Sequence, residues 1–183
     1  NPKRCGHLDG KEVVPLATAT QRIAAAVAAR RDPGLVIMAR TDVRGVEGLD
    51  AAVDRAKALQ DAGADAIFPE AMASLDEFAA IRAAVEVPIL ANMTEFGKSP
   101  LWTAQQLEDV GVNVVIHPVS LLRVAFGAIE RALDALVEEG SLASQVPTMQ
   151  TRARLYELND YQGYASFDAG VFDFEVPGTA RQD

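Results

Sequence analysis

The fold is decided by the stretch Leu35-Val36-Ile37-Met38-Ala39-Arg40-Thr41-Asp42, in which an apolar run stops at three polar residues. The run is apolar throughout rather than alternating, which is typical of parallel strands covered by helices. Three further apolar runs follow, at residues 66–68, 88–91 and 112–116. Successive runs begin roughly 22 to 31 residues apart, the spacing of a strand, a helix and two short loops. The pattern therefore predicts four β-α units.

Helical patterns lie between and around these runs. They cover residues 20–31, 49–63, 75–85, 103–110, 121–139 and 151–158. Gly63, Gly111 and Gly140 provide C-terminal stops for three of these helices. Several aromatic residues follow the last predicted helix: Tyr161, Tyr164, Phe167, Phe172 and Phe174. We expect this aromatic tail to pack on the rest of the chain or on another subunit, and a frayed terminus is the alternative.

The repeated β-α unit fits either half of an eight-stranded (β/α)8 TIM-type barrel or an open doubly wound sheet. No G-x-G-x-x-G or P-loop pattern follows any of the apolar runs, which disfavours the nucleotide-binding form of the open sheet. A complete barrel needs about 250 residues. We therefore predict an α/β fold in which residues 1–140 contain the C-terminal half of a barrel together with the N-terminal segment around Cys5. A helical and aromatic tail would occupy residues 141–183.

Composition narrows the possible partners and location. The chain has 183 residues with 17 Lys and Arg against 26 Asp and Glu, a net charge of −9. Such a balance gives no general attraction to nucleic acid or to an anionic membrane surface. One cysteine cannot form an internal disulfide, and no apolar run has the roughly 18 residues of a membrane span. We expect a cytoplasmic protein. The sequence starts without Met and without a signal peptide, so we also expect it to be part of a longer polypeptide.

Polar residues follow the apolar runs at the point where each predicted strand ends: Arg40, Glu70, Asn92 with Thr94, and His117. In a barrel these ends meet at one face, where active sites are built. Arg40 offers a planar fork for a carboxylate, and Asn92 and Thr94 add neutral hydrogen bonds. Glu70 could orient Arg40 or act on a proton. Together these side chains predict a pocket for a small anionic substrate.

Taken singly, each of these residues also has a structural explanation. Arg40 could be an ion-paired strand end, and Glu70 could cap a helix. Thr41 and Asp42 could close their own loop. Asn92 and Thr94 could be turn or capping residues, and His117 could be a satisfied core histidine.

The N-terminal segment Lys3-Arg4-Cys5-Gly6-His7 contains the single cysteine of the chain. Neighbouring cations favour the thiolate and so suit proton transfer or nucleophilic attack, whereas an exposed thiol without function is the alternative. Cys5 and His7 provide only two metal ligands, and no Cys/His pair has zinc spacing.

Several segments, in this order, resemble the isocitrate lyase and phosphoenolpyruvate mutase superfamily. They are KRCGH (3–7), VIMARTD (36–42), FPEA (68–71), PILANMTEFGKSP (88–100) and MQTRARLYE (149–157). The cysteine loop is typical of the carbon–carbon lyases in that superfamily. The ANMTEFG segment resembles the methylisocitrate branch.

The resemblance implies a Mg²⁺-dependent (or Mn²⁺-dependent) cleavage of 2-methylisocitrate to pyruvate and succinate, a step of the methylcitrate cycle in propionate catabolism. It implies a homotetramer that exchanges C-terminal helices between subunits, and a small tricarboxylate as the substrate. Cys5 matches the general acid that protonates the succinate fragment. Substrate-binding positions of the family match Gly6, His7, Arg40, Glu70, Asn92, Met93, Thr94, Arg123 and Arg152.

The metal site is where this sequence departs from the family. The family's acidic Mg²⁺ ligands precede the cysteine loop, and we find no metal ligands among the residues of this chain. We therefore expect the 183-residue chain to be inactive alone. Two alternatives stay open: another member with a cysteine loop, such as a dimethylmalate lyase or an oxaloacetate hydrolase, or a non-catalytic half-barrel module.

Overall fold

A computed structural model of the protein describes residues 10–172, so Cys5, Gly6, His7 and Phe174 lie outside the described residues. The chain divides into two units within one helix, between Val124 and Ala125. Residues 141–183, predicted as a separate tail, start just after this helix, and their assignment as a domain stays a prediction.

The elements of the first unit alternate between helix and strand. They are α1 (Leu16–Ala29), β1 (Met38–Thr41), α2 (Arg44–Glu47), α3 (Leu49–Asp61), β2 (Ala66–Pro69), α4 (Leu75–Ala84), β3 (Leu90–Asn92), α5 (Ala104–Asp109) and β4 (Val114–Ile116). Helix α6 (Ser120–Glu139) begins in this unit. The second unit contains the end of α6, a 3-10 helix (Ala143–Thr148), α7 (Arg152–Leu158) and α8 (Tyr161–Phe172).

The strands of the described region are parallel and follow the order of the chain. β1 pairs with β2 and β3 pairs with β4, both in parallel register. A parallel bridge between Ile67 and Ile89 links β2 to the start of β3. Parallel neighbours need a crossover, and α3, α4 and α5 each lie between two successive strands. The prediction of four β-α units is confirmed.

The strands extend further toward their polar ends than the apolar runs predicted. β1 includes Arg40 and Thr41, and β3 includes Asn92. Backbone pairing does not depend on whether a side chain is apolar, and Arg40 and Thr41 pair with Phe68 and Pro69 of β2. These polar side chains are therefore fixed by the sheet itself rather than by mobile loops.

The core lies between the strands and the inner faces of α3, α4 and α5. Ile67, Ile89, Ile81 and Leu107 are fully buried, and Phe78 packs edge-on against Trp102 with ring centroids 5.9 Å apart. Burying such side chains contributes about 1.5–3 kcal/mol each. The amphipathic pattern of the sequence thus places the helices over the sheet.

Capping residues set the ends of these helices. The Ser74 hydroxyl accepts a hydrogen bond from the backbone N–H of Glu77, and Thr103 forms a capping box with Gln106. Gly63 follows α3 with a φ of +99°, and a Cβ there would lie 3.1 Å from the Val27 side chain. The predicted stop at Gly63 is therefore explained by both backbone conformation and space.

Two helical features differ from the sequence prediction. α1 begins at Leu16 rather than residue 20, because the carbonyl of Pro15 already accepts a hydrogen bond from the N–H of Ala19. α2 is a single turn, too short to show the helical repeat of apolar residues by which the other helices were predicted. Instead, Arg44 Nε donates to Glu77 Oε2 at 2.9 Å and ties this turn to α4.

In the second unit, the segment predicted as an aromatic tail forms α8 up to Phe172 rather than a frayed end. Tyr156 and Tyr161 stack with ring centroids 4.5 Å apart. Tyr164, Phe167 and Phe172 are exposed. Packing of this segment on another subunit stays a prediction.

We expect Phe78→Ala to lower the free energy of unfolding by about 3–5 kcal/mol, because it leaves a cavity among fully buried side chains. Phe78 is 2% exposed, whereas Phe96 is 90% exposed. Phe96→Ala is thus the matched control, with an expected loss of at most about 1 kcal/mol. Denaturant unfolding measures both, and equal losses would contradict this description of the core.

Candidate active site

The carboxyl ends of β1, β2 and β3 bring three predicted residues together. Arg40 lies in β1, Glu70 directly follows β2, and Asn92 is the last residue of β3. Parallel pairing of β1 with β2, and the parallel bridge from β2 to the start of β3, put these carboxyl ends on the same side. The predicted convergence of an arginine, a carboxylate and an amide is therefore present in the structure.

Glu70 is the buried centre of this cluster, with 1% of its surface exposed. Its Oε2 lies 2.9 Å from Arg40 Nη2, and each of its oxygens accepts from Asn92 Nδ2 at 3.3 Å. Oε1 also accepts from the N–H of Ala71 at 3.0 Å. A buried carboxylate needs such partners to offset the loss of hydration. Glu70 thus orients Arg40, and the cap of α4 is Ser74 rather than Glu70.

Arg40 is held by a second carboxylate and by an aromatic ring. Its Nη2 donates to Asp42 Oδ1 at 2.9 Å, and its guanidinium carbon lies 4.9 Å from the centroid of the Phe68 ring. Asp42 also pairs with Lys11 Nζ at 3.3 Å. The Arg40 side chain is still 43% exposed. An arginine oriented from several sides and open to solvent suits recognition of a carboxylate.

The predicted role of Thr41 as a loop-closing residue fits the structure. Thr41 is buried, and its Oγ1 accepts from the backbone N–H of Val43 at 3.3 Å. Asp42, which was also considered for loop closure, instead forms ion pairs with Arg40 and Lys11. The sequence pattern did not single out Lys11, because its partner is more than thirty residues away along the chain.

The segment after β3 is fixed to the core by Met93. Its N–H donates to the carbonyl of Ile116 at 2.9 Å, and its sulfur accepts from the N–H of Trp102 at 3.4 Å. The Met93 side chain is buried in the core, and its predicted substrate-binding role stays a prediction. Thr94 follows it and is half-buried.

Buried acceptor atoms are left over in the same segment. Asn92 Oδ1 and Glu95 Oε2 are buried and have no hydrogen-bond partner among the described residues. Buried polar atoms are usually paired, so each of these two acceptors can take a hydrogen bond from a group outside the described residues.

Glu95 connects this segment to the start of α6. Its Oε1 accepts from the Ser120 hydroxyl at 2.6 Å. This hydrogen bond, together with one from the backbone, holds the pKa of Glu95 below its usual value against the effect of burial, and the charges of Arg123 and His117 lower it further. His117 itself is exposed, so the interpretation as a core histidine is wrong. Glu95 and Ser120 lie in the polar stretches after the third and fourth apolar runs but were not among the predicted site residues, because their hydrogen bond joins segments that only the fold brings together.

Arg123 lies near the start of α6, with its guanidinium carbon 5.2 Å from the centroid of the Phe96 ring. Arg152 is the first residue of α7 in the second unit. Its predicted place at the substrate stays a prediction, as do the roles of Cys5, Gly6 and His7 outside the described residues.

The described residues do not fit the magnesium site that the family resemblance implies. Within residues 10–172, no group of three or more His, Cys, Asp or Glu side chains could hold a metal ion. The carboxylates of Asp42 and Glu70 are instead engaged by Arg40. We therefore assign no chemical step to a metal in this part of the chain.

Comparisons with known proteins agree with the motifs. The family described as phosphoenolpyruvate phosphomutase matches residues 4–137. The chain is similar to the probable 2-methylisocitrate lyase 2 of Corynebacterium glutamicum, with 58% identity over 96% of this chain and 57% of that protein. It is 46% identical to the 2-methylisocitrate lyase of Bacillus subtilis, over 96% of this chain and 58% of that protein. The chain thus spans less than two thirds of the length of these relatives.

A solved structure of oxaloacetate acetylhydrolase with the inhibitor 3,3-difluorooxalacetate is similar in fold. The TM-score is 0.80 at 34% identity, over 95% of this chain and 59% of that one. The fold and the sequence therefore point to the same superfamily.

The titration of Glu95 tests the geometry of its cluster. We expect a midpoint below the ordinary 4.5 in a carboxyl ¹³C NMR titration. Since the folded-state pKa is lowered, the ionised group stabilises the fold above about pH 4.5, and this contribution is lost as the pH falls through the folded-state pKa. Ser120→Ala should raise the midpoint more than Arg123→Met does, because the hydroxyl is the larger cause. The reverse order would contradict the hydrogen bond.

Proposed function

This chain belongs to the phosphoenolpyruvate phosphomutase family, and we propose that it supplies part of the active site of a lyase that cleaves 2-methylisocitrate to pyruvate and succinate. The observation that carries the proposal is the exposed Arg40 oriented by the buried Glu70. Identities of 46% and 58% to 2-methylisocitrate lyases support this substrate over others in the family.

We propose that the parallel strands form the C-terminal half of a TIM-type barrel. The apolar residues Leu35, Val36 and Met38 are exposed at or just before β1, and Val114 of β4 is exposed at the other end of the strand order. Additional strands paired at these two edges would cover such residues and would close the sheet. The active site would then lie at the carboxyl ends of the strands.

In this proposal, the first task of the chain's residues is to bind substrate carboxylates. Arg40 would donate its N–H groups to one of them, while Glu70 and Asp42 keep the guanidinium plane in place. The Asn92 amide donates to the Glu70 carboxylate, as Arg40 does. It would therefore lie beside the same substrate carboxylate as Arg40. The ion pairs formed before binding reduce the entropy lost when the substrate is held.

The second task is to control the proton that completes the reaction. As the carbon–carbon bond breaks, the substrate hydroxyl passes its proton to a base, and its carbon–oxygen bond becomes the carbonyl of pyruvate. The bonding electron pair stays on the succinate fragment, which takes up a proton at carbon. We propose Cys5 as the donor, on the resemblance of Lys3–His7 to the family's cysteine loop. The resemblance also implies Mg²⁺ in the complete enzyme, and its ligands would come from outside residues 10–172.

We further propose a homotetramer that resides in the cytoplasm. The exposed aromatic face of α8, with Tyr164, Phe167 and Phe172, supports burial against another subunit. The single cysteine supports a reducing compartment. None of the helices within residues 10–172 is long and apolar enough to cross a membrane.

A second candidate activity is hydrolysis of oxaloacetate, which the similarity to the oxaloacetate acetylhydrolase structure favours. The lower identity of 34% makes it the weaker candidate. Dimethylmalate cleavage and a non-catalytic half-barrel module are the remaining alternatives.

The substrate is tested on the complete enzyme with 2-methylisocitrate, 2,3-dimethylmalate and oxaloacetate in the presence of Mg²⁺. We expect pyruvate to form from 2-methylisocitrate with the highest kcat/KM, and Cys5→Ser to lower kcat by about 10²–10⁴-fold because the proton donor is lost. A preference for oxaloacetate would overturn the proposed substrate. Full activity of Cys5→Ser would exclude the proposed general acid.

Arg40→Lys tests the carboxylate-binding role. We expect kcat/KM to fall about 10–100-fold, because an ammonium group cannot reproduce the planar, multiply bonded guanidinium. The matched control is Arg31→Lys, since Arg31 is exposed. Steady-state kinetics of both variants in the complete enzyme decide the point, and equal kcat/KM for Arg40→Lys and the unchanged enzyme would contradict the role.

A further inference from the structure

A hydrogen bond of the Glu95 carboxylate joins two segments that follow the carboxyl ends of β3 and β4. Glu95 belongs to the segment after β3, and Ser120, its partner at 2.6 Å, is the first residue of α6. The other carboxylate oxygen, Oε2, is buried without a hydrogen-bond partner among residues 10–172. A carboxylate beside the first turn of a helix is also favoured by the helix dipole.

Backbone strain flanks both ends of this hydrogen bond. Phe96, next to Glu95, has a φ of +60°, and Val119, next to Ser120, has a φ of +57°. A β-branched residue such as valine rarely adopts this left-handed conformation. Strained residues persist only where the surrounding structure holds them, and they concentrate at functional sites.

A second contact joins the same two segments. Arg123 follows Ser120 by one helical turn, so both residues lie on one side of α6. The guanidinium carbon of Arg123 lies 5.2 Å from the centroid of the exposed Phe96 ring, within cation–π distance. Glu95 and Phe96 are adjacent in sequence, so one short segment contacts the first turn of α6 twice, through the hydrogen bond between Glu95 and Ser120 and through the Phe96 ring beside Arg123.

We propose that Glu95 is a positioning residue, which fixes Arg123 and the Asn92–Thr94 segment relative to each other so that both contact the same substrate. The inference rests on the proposed function, in which Arg123 and Asn92 bind the substrate. The Ser120 hydroxyl transmits the position through α6, and Phe96 sets the plane of the guanidinium. Glu95 acts on binding and takes no part in the proton transfer.

A double-mutant cycle in the complete enzyme tests this coupling. The variants are Glu95→Gln, Arg123→Lys and the combination of both, and the kinetics use whichever substrate the enzyme turns over best. We expect Glu95→Gln to raise KM about tenfold, as expected for a lost charged hydrogen bond, with kcat within about threefold. In the Arg123→Lys background, the same change should raise KM less than about twofold, because the group it positions is already impaired.

Two controls separate positioning from a purely structural role. Glu86→Gln replaces an exposed glutamate in the same unit and should leave KM and kcat unchanged. Ser120→Ala should raise KM in the same direction as Glu95→Gln and should not add to it. Thermal melting of each variant shows whether the fold is retained.

Additive effects of Glu95→Gln and Arg123→Lys on KM would overturn the inference, as would a lower melting temperature with KM unchanged. If Arg123→Lys alone leaves KM unchanged, the proposed role of Arg123 in substrate binding fails and the inference fails with it. If the enzyme prefers a substrate other than 2-methylisocitrate, only the proposed function is overturned, since the cycle is measured on the preferred substrate.

Discussion

The burial of one carboxylate is the constraint on which the site depends. Glu70 is withdrawn from water, and hydrogen bonds and an ion pair with Arg40, Asn92 and the N–H of Ala71 offset the cost of burying its charge. These partners come from β1, β3 and the turn after β2, so their positions depend on the correct register of the strands. A shift in register would leave a buried charge without partners, which costs several kcal/mol. Fold and site are therefore specified together.

Much of the fold was predictable because apolar runs and helical periods are local signals. The β-α order, the glycine stops and the polar residues that follow the apolar runs, Arg40, Glu70 and Asn92, are visible from neighbouring residues alone. The short helix α2 was not predictable, since it depends on an ion pair with Glu77 in a later helix. The extra residues at the ends of β1 and β3 were missed for a similar reason, because backbone pairing with a distant strand decides them.

The same distinction applies to the candidate site. Residues that end a strand are visible in the sequence, whereas Lys11, Glu95 and Ser120 have partners that only the fold brings near. Family resemblance supplied Arg123 and Arg152, which no local pattern marks as functional, and it supplied the role of Cys5, whose neighbouring cations indicate only a reactive thiol. The residues at the strand ends thus form the centre of the site, and residues that only the fold brings near hold their side chains in position.

The parallel strands pair in the order in which they are synthesised, and this has a consequence for how the site is assembled. β1 meets β2, β2 reaches β3 through Ile67 and Ile89, and β3 meets β4. Each pairing closes a loop of only one β-α unit, so the entropic cost of each step is small. Arg40 can engage Glu70 before Asn92 has emerged from the ribosome. The charged centre of the site can therefore be neutralised early, during translation.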